Sequence, residues 1–359
     1  MKIGIDGRPF LGKKTGVGRY VTEICIQLST LMPDSTFFVY SPVPIHLPPQ
    51  LSSWIVRVDP HPLAAYLRPV LWLKLRCGLL ASHDSLDVFW GPAAFLPTFK
   101  DEVKTILTVH DVVYSVLPAS MSLLHLCSFL LFFRRDVSRA SALTVNSYGT
   151  MSRVTTITGR QADAVIYPSV ASFFSVPSQT AIDRIHRKYG INSPFFLAVA
   201  TLEPRKNLRL LIQAFNYLQS TGRVSEYELL LVGNLGWNHK RITAETRSNP
   251  SVRTLGYIPD SDLPSLYYSA SAFVFPSLYE GFGMPVLEAR MSGAKIIASG
   301  IPEIIEAGGD NCTYINPDFT SLVTALASPS LHASANLCSH HISSWKSAAH
   351  QLFQLFTGI

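Results

Sequence analysis

Glu280 and Glu288 are the two carboxylates most suited to chemistry, because of what surrounds them. The stretch from Pro276 to Gly293 reads Pro-Ser-Leu-Tyr-Glu-Gly-Phe-Gly-Met-Pro-Val-Leu-Glu-Ala-Arg-Met-Ser-Gly. An apolar run from Ala272 to Phe275 precedes it and Lys295 to Ser299 follows, each suited to a buried strand. Pro285 suits the first position of a helix and Gly293 the residue just past its end. The unit is therefore strand, loop, helix, strand. A right-handed crossover of this kind makes the strands parallel and carries the loop and helix N-terminus to the carboxyl edge of a sheet, where ligands bind. Backbone N–H groups around Phe282, Gly283 and Met284, with the positive end of the helix dipole, suit a phosphate or the polar rim of a sugar. Gly281 and Gly283 let such a ligand come close. Glu280 in the loop and Glu288 about one turn into the helix can face one crevice, and carboxylates accept hydrogen bonds from vicinal hydroxyls. Glutamates beside a helix start are also plain solvated charges that the dipole favours, so the pair alone leaves both readings open.

Three further groups fall at the ends of apolar runs. Phe195 to Thr201 reads as a strand, and Thr-Leu-Glu-Pro-Arg-Lys-Asn-Leu follows from Thr201. There Arg205 offers a planar fork and Lys206 a compact charge, a good pair for a pyrophosphate, or else a solvated basic turn. Lys104 to Val109 is another strand, with His110-Asp111 at its end; a lone histidine there is either a satisfied structural residue or a ligand contact. Gly16, Val17 and Gly18 lead from the strand Lys2 to Asp6 into a helix whose apolar face is Val21, Ile24, Cys25, Leu28 and Leu31. Such a loop is an anion cradle or a simple strand-to-helix turn.

The elements that must position these groups alternate. Thr36 to Tyr40, Trp54 to Val58, Asp87 to Trp90 and Leu143 to Ser147 read as further strands of a first sheet. Tyr227 to Gly233 and Val252 to Ile258 belong to a second. Alternation of strand and helix is the pattern of a doubly wound parallel sheet, so the fold class is α/β. A linker rich in Ser, Pro and small residues around Ala171 to Thr180 divides the chain, and 359 residues suit two domains of this kind. Ser344 to Phe356 reads as a final helix. Asp260-Ser261-Asp262 has the form of a metal-binding Asp-x-Asp pattern, but it precedes a helix start and is read as a cap.

Taken together, the wording of Pro276 to Gly293, Glu-Pro-Arg-Lys-Asn from Glu203, and Ile-Asp-Gly-Arg-Pro followed by Thr-Gly-Val-Gly-Arg-Tyr resembles the family 4 retaining glycosyltransferases. Leu-Thr-Val-His-Asp around His110 fits the same family. The resemblance implies the GT-B fold: two Rossmann-like domains facing a central cleft, with the last helix crossing back to the first. Their expected bounds are 1–172 with about 344–359 for an acceptor-binding domain and 173–343 for a nucleotide-sugar-binding domain. By the same resemblance Glu280 and His110 contact the donor sugar, Arg205 and Lys206 clamp the diphosphate, and Glu288 contacts the ribose. Tyr257 and Ile258 border the nucleotide base, while Gly16, Val17 and Gly18 lie between donor phosphate and acceptor. No metal and no cofactor is required. The chain departs from the family at Val145-Asn146-Ser147, where Val-Ser-Glu is usual, and in the short loop Ser299 to Glu303. Gly-Val-Gly-Arg-Tyr and Gly-Asn-Leu-Gly-Trp (Gly233 to Trp237) are similar to bacterial mannosyltransferase-like members that build surface polysaccharide or lipopolysaccharide. That favours GDP-mannose as donor and a saccharide or polyprenyl-linked saccharide as acceptor. The alternatives are a GT-B epimerase or phosphorylase and a catalytically silent sugar-nucleotide-binding subunit.

Composition narrows the setting. Only 15% of residues are charged, the mean hydropathy is +0.22, and the formal charge is +6. These values suit an anionic partner: a nucleotide sugar, a lipid phosphate or a bilayer face. Nucleic acid also suits the charge but is the weakest alternative and no nucleic-acid partner is expected, since no basic and aromatic recognition motif accompanies the charge. Cys25, Cys77, Cys127, Cys312 and Cys338 are odd in number and widely spaced, which points to a reducing, cytoplasmic setting without structural zinc. Met1 to Asp6 lacks the apolar core of a signal peptide, and the most apolar run, Met121 to Phe133, is too short to span a bilayer. Leu63 to Leu80 and Leu123 to Arg135 mix apolar residues with Arg68, Lys74, Arg76, Arg134 and Arg135. They are core helices with basic ends, or a peripheral contact with the anionic inner face of a membrane.

Overall fold

The computed structural model of the chain describes residues 1–12, 15–100, 102–236, 240–327 and 343–358. They form two compact units, Met1–Ser169 with Ser343–Ile359, and Val170–Ile342. The first is built on β1 (Lys2–Asp6), β2 (Thr36–Ser41), β3 (Ile55–Val58), β4 (Val88–Gly91), β5 (Lys104–Val109), β6 (Ala142–Val145) and β7 (Ala164–Val165), in the order β3-β2-β1-β4-β5-β6-β7. The second holds β8 (Phe195–Val199), β9 (Glu228–Val232), β10 (Val252–Gly256), β11 (Ala272–Phe275), β12 (Ile296–Ser299) and β13 (Cys312–Ile315), in the order β10-β9-β8-β11-β12-β13. All of the pairings are parallel.

Parallel strands covered by helices on both faces read as continuous apolar runs, and β11 is buried at each of its four positions, Ala-Phe-Val-Phe. In each sheet the strand order reverses once, between β1 and β4 and between β8 and β11. Loops leaving the strands at such a point turn to opposite faces and open a crevice at the carboxyl edge. The core of the first unit joins Ile3 and Ile5 to Val21, Ile24, Cys25 and Leu28 on the helix Gly16–Leu31, the apolar face that the spacing predicts. Trp345, Ala348, Ala349, Leu352 and Phe356 of the helix Trp345–Gly358 enter the same core, so the last helix returns to the first unit. In the second unit Phe196, Leu229 and Leu231 pack on Leu211, Ile212, Phe215 and Leu218 of the helix Leu208–Ser220.

Several strands stop short of their sequence-based limits. β9 ends at Val232 and β10 at Gly256 because Gly233 (φ 140°) and Gly256 (φ 68°) turn the chain out of the extended region. A Cβ on Gly233 would lie 2.0 Å from the Ala200 carbonyl oxygen, so only glycine closes this corner.

The two apolar, basic stretches each resolve into a helix with two faces. Residues 69–81 are helical, with a wide π turn at Leu73–Cys77. Trp72, Leu73 and Cys77 are buried there, while Leu71, Leu75 and Leu79, spaced by one turn, are exposed. On Leu123–Arg139 the buried set is Phe129, Phe133, Asp136 and Val137, and the exposed set includes Leu123, Leu124, Leu130 and Leu131. Two of the five basic residues named for these stretches are spent inside the unit. Lys74 pairs with Asp136 and Arg76 with Asp59, whereas Arg68, Arg134 and Arg135 are exposed. Among the described residues no helix is long and apolar enough to cross a membrane.

Candidate active site

The reversal between β8 and β11 brings together the two motifs that lie furthest apart in the second unit. After β8 the chain makes a short 3-10 turn, Pro204–Lys206, and Asn207 takes the left-handed conformation (φ 55°) before the helix Leu208–Ser220 begins. The loop after β11 is tied to this turn by Leu278 N–H donating to the Arg205 carbonyl at 2.9 Å. That bond sets the register in which the side chains meet. Arg205 Nη1 donates to Glu280 Oε2 and to the Tyr279 carbonyl, both at 2.9 Å. Its Nε and Nη2 reach Glu203 Oε1 at 3.1 and 2.9 Å. Lys206 Nζ donates to Glu280 Oε1 at 2.5 Å and lies 5.3 Å from the centre of the Phe275 ring.

This cluster is desolvated: Glu280 is 6% and Lys206 8% exposed. Burial pushes the Glu280 carboxyl up, but the Lys206 and Arg205 cations outweigh it and hold the group below the ordinary glutamate range. Burial lowers Lys206 from the ordinary lysine value, against the pull of Glu280. Two cations and two carboxylates, Glu203 included, therefore form a compact neutral group in which the carboxylates hold the cations in place.

Glu288 is held separately. It lies on the helix Met284–Met291, is buried, and accepts a hydrogen bond from the Tyr267 hydroxyl at 3.1 Å. The two carboxylates thus have different partners among the hydrogen bonds seen here, Lys206 and Arg205 for Glu280 and Tyr267 for Glu288. Gly283 (φ 103°) occupies the N-cap position of that helix, and its carbonyl accepts from Val286 and Leu287. Met284 is the first helical residue and Pro285 the second, one position later than the sequence suggests. Phe282 is buried. At the end of β10, Tyr257 is 66% exposed while Ile258 is buried, so of these two only the tyrosine side chain can cover a flat ligand.

In the first unit the glycine loop feeds the helix Gly16–Leu31 through a Thr15 cap, whose Oγ1 accepts from Gly18 N–H at 3.1 Å. Gly18 is demanded by packing, since a Cβ would sit 2.8 Å from the Pro9 carbonyl oxygen, whereas a Cβ on Gly16 would meet open space. The helix ladder begins with Arg19 N–H donating to the Thr15 carbonyl, which leaves the N–H groups of Gly16 and Val17 outside it. His110 stands at the end of β5. Its Nε2 lies 2.8 Å from the Pro92 carbonyl oxygen and its ring meets Tyr20 edge-on at 4.8 Å. A carbonyl only accepts, so Nε2 carries the proton. Burial lowers the His110 pKa, and the neutral ring then presents Nδ1 as an acceptor. Lys13, Lys14 and Trp237 lie outside the described residues.

One reading from the sequence is corrected. Asp262 stands at the N-cap of the helix Leu263–Ser269, yet its side chain makes no capping bond. Its Oδ2 instead takes Lys188 Nζ at 2.5 Å and the Tyr189 hydroxyl at 2.8 Å. A full ammonium charge is a better partner for a buried carboxylate than a backbone N–H. Two site residues escaped the sequence reading: Glu203, the second carboxylate on Arg205, and Tyr267, the partner of Glu288. The spacing of Glu203 and Arg205 is a usable local signal; nothing local marks Tyr267.

Comparison with known proteins adds one family, two relatives and two solved structures. Residues 181–328 match the family described as glycosyl transferases group 1. The chain is 29% identical over 348 residues to O-antigen chain mannosyltransferase B of Escherichia coli, spanning 90% of this chain and 89% of that protein. It is also 28% identical over 267 residues to O-antigen chain mannosyltransferase RfbU of Salmonella typhimurium, spanning 70% and 68% respectively. Among solved structures, Anabaena HepE in complex with UDP-glucose superposes with a TM-score of 0.74 at 16% identity over 100% of both chains. WaaG, a glycosyltransferase involved in lipopolysaccharide biosynthesis, superposes with a TM-score of 0.71 at 15% identity, again over 100% of both.

Proposed function

Taking as premise that this chain is a glycosyltransferase of GT-B fold, carrying a group 1 domain and homologous to O-antigen mannosyltransferases, we propose that it transfers mannose from GDP-mannose, with retention at the anomeric carbon, to a saccharide or lipid-linked saccharide of a surface polysaccharide. The observation that carries the reading is the convergence of Arg205, Lys206 and Glu280 at the strand-order reversal of the second sheet. In the proposed step the bond between the anomeric carbon and the diphosphate oxygen breaks while a bond to the acceptor hydroxyl oxygen forms on the same face. The hydroxyl proton passes to the departing phosphate. Arg205 and Lys206 stabilise the charge that develops on the diphosphate, Glu280 accepts from a donor-sugar hydroxyl, and Glu288 from the ribose. His110 Nδ1 supplies a further acceptor for the sugar. Incubation with a panel of nucleotide sugars, scoring release of nucleoside diphosphate, names the donor; the anomeric coupling of the product tests retention. No turnover of any donor would remove the proposal.

Two companion proposals have their own tests. Transfer is expected to be metal-independent, because Arg205 and Lys206 supply the positive charge at the diphosphate and Asp262 is engaged by Lys188 and Tyr189. Activity should survive EDTA within about twofold; loss on chelation with recovery in Mn²⁺ would overturn this. The first unit is also proposed to touch an anionic membrane face through Leu75, Leu130 and Leu131, with Arg134 and Arg135 beside them. Each arginine near an anionic leaflet contributes about 1 kcal/mol, and leucine burial adds a part that salt does not screen. Flotation with anionic liposomes should weaken but persist at high salt, and fall sharply in Leu130→Glu with Arg134→Glu at an unchanged melting temperature. Absence of wild-type flotation at low salt would sink the idea.

A further inference from the structure

Strand β6 ends at Val145, which pairs with Val109 at the end of β5. The next residues, Asn146 and His110, therefore leave neighbouring strands side by side at the carboxyl edge of the first sheet, the edge at which open α/β sheets take ligands. Asn146 is 7% exposed, and its Oδ1 is buried without a hydrogen-bond partner. Buried amides are ordinarily satisfied, and one that is not carries a penalty that folding alone gives no reason to keep. Turning the amide over would leave its NH₂ end in the same position, so the unmet demand does not depend on which atom is placed there. The neighbouring polar groups have other work. Ser147 Oγ caps the helix Tyr148–Thr158 by accepting from Thr150 N–H, and His110 Nε2 donates to Pro92. What the edge offers is thus the Asn146 amide, which can accept or donate, beside the acceptor His110 Nδ1. A hydroxyl, which both donates and accepts, can satisfy either end of the amide and the imidazole acceptor together. Just beyond them Tyr148 is exposed and meets Tyr167 edge to face, with ring centroids 6.2 Å apart. An aromatic surface beside hydroxyl acceptors fits a pyranose, which is apolar on one face and hydroxylated at its rim.

We propose that Asn146 is a specificity-determining residue that accepts a hydrogen bond from a sugar hydroxyl beside His110, with Tyr148 covering the apolar face of that sugar. The inference rests on the transfer reading above. Leucine shares the branched heavy-atom shape of asparagine, though its two methyl groups are bulkier, and has no polar atom, so Asn146→Leu removes the unmet hydrogen bond together with the proposed contact. The variant should melt at or above the wild-type temperature and yet lose at least tenfold in kcat/KM, while Asn146→Asp, which keeps an acceptor of the same shape, should retain more activity than the leucine variant. Should leucine not fit, Asn146→Ala carries the same expectation for kcat/KM. The donor that the wild type hydrolyses fastest is used as probe, with and without methyl mannoside as acceptor. A loss in hydrolysis and transfer alike places the hydroxyl on the donor sugar; a loss in transfer alone, with a raised acceptor KM, places it on the acceptor. A lowered melting temperature with kcat/KM within twofold of wild type makes the amide structural and overturns the inference. If the wild type neither hydrolyses nor transfers from any nucleotide sugar, the transfer reading fails and takes this one with it.

Discussion

Glu280→Gln should abolish most turnover and also weaken the fold. The turnover loss is expected at about 10²- to 10³-fold, the size seen when one preorganised charge contact to a reacting centre is removed. The stability loss follows from the structure. Lys206 is buried and keeps its charge through Glu280, and a glutamine offers it only a neutral carbonyl. Breaking one side of a buried ion pair costs about 3–5 kcal/mol; the retained carbonyl acceptor reduces this to about 2–3 kcal/mol. The double variant Glu280→Gln with Lys206→Met should recover much of the lost stability, because no buried cation is left without a partner, and none of the activity. The pH dependence has a definite sign. A carboxyl held below its ordinary value contributes stability above the unfolded value near 4.5, and that contribution disappears as pH falls through the depressed folded value. Acid melting of the wild type should therefore be steeper than that of Glu280→Gln. Equal stability of wild type and single variant at pH 7 would mean that the buried pair is not maintained in solution.

Arg205→Ala is the second large effect, and it should appear in binding as well as rate. The guanidinium bridges Glu203, the Tyr279 carbonyl and Glu280 from one planar fork, so it both orients Glu280 and presents charge at the carboxyl edge of β8. Loss of the fork should weaken binding of free GDP by about 10- to 100-fold and lower kcat by about 10³-fold. Arg205→Lys should recover little, since a single ammonium cannot span the same acceptors. Because the Leu278 N–H bond goes to the Arg205 backbone carbonyl, the loop after β11 keeps its anchor in either variant. Calorimetric titration with GDP beside initial rates separates the two terms. Unchanged GDP affinity in Arg205→Ala would place the diphosphate elsewhere and require a new site.

The position of each candidate residue along its own strand and loop was legible in the sequence. Apolar runs placed the strand ends near Val109, Val199 and Phe275, and a positive-φ glycine such as Gly283 marks where a loop meets a helix, because these signals depend on residues a few positions away. Two doubly wound sheets follow from the alternation of those elements, and the Glu-x7-Glu and Glu-Pro-Arg-Lys-Asn wording carried the family resemblance. Tertiary structure alone decided which groups meet. Glu280 reaches Arg205 and Lys206 because β8 and β11 are neighbours across the strand-order reversal, a pairing no local window contains. The same holds for Lys74 with Asp136, Arg76 with Asp59, and Asp262 with Lys188: residues that the sequence reads as basic helix ends or a helix cap become ion-pair partners once another element packs beside them. Asn146 shows the converse, a polar residue at a strand end whose unmet hydrogen bond exists only because the fold buries it. Periodicity and turn chemistry are local and can be read from the chain, whereas desolvation and charge pairing belong to the packed whole.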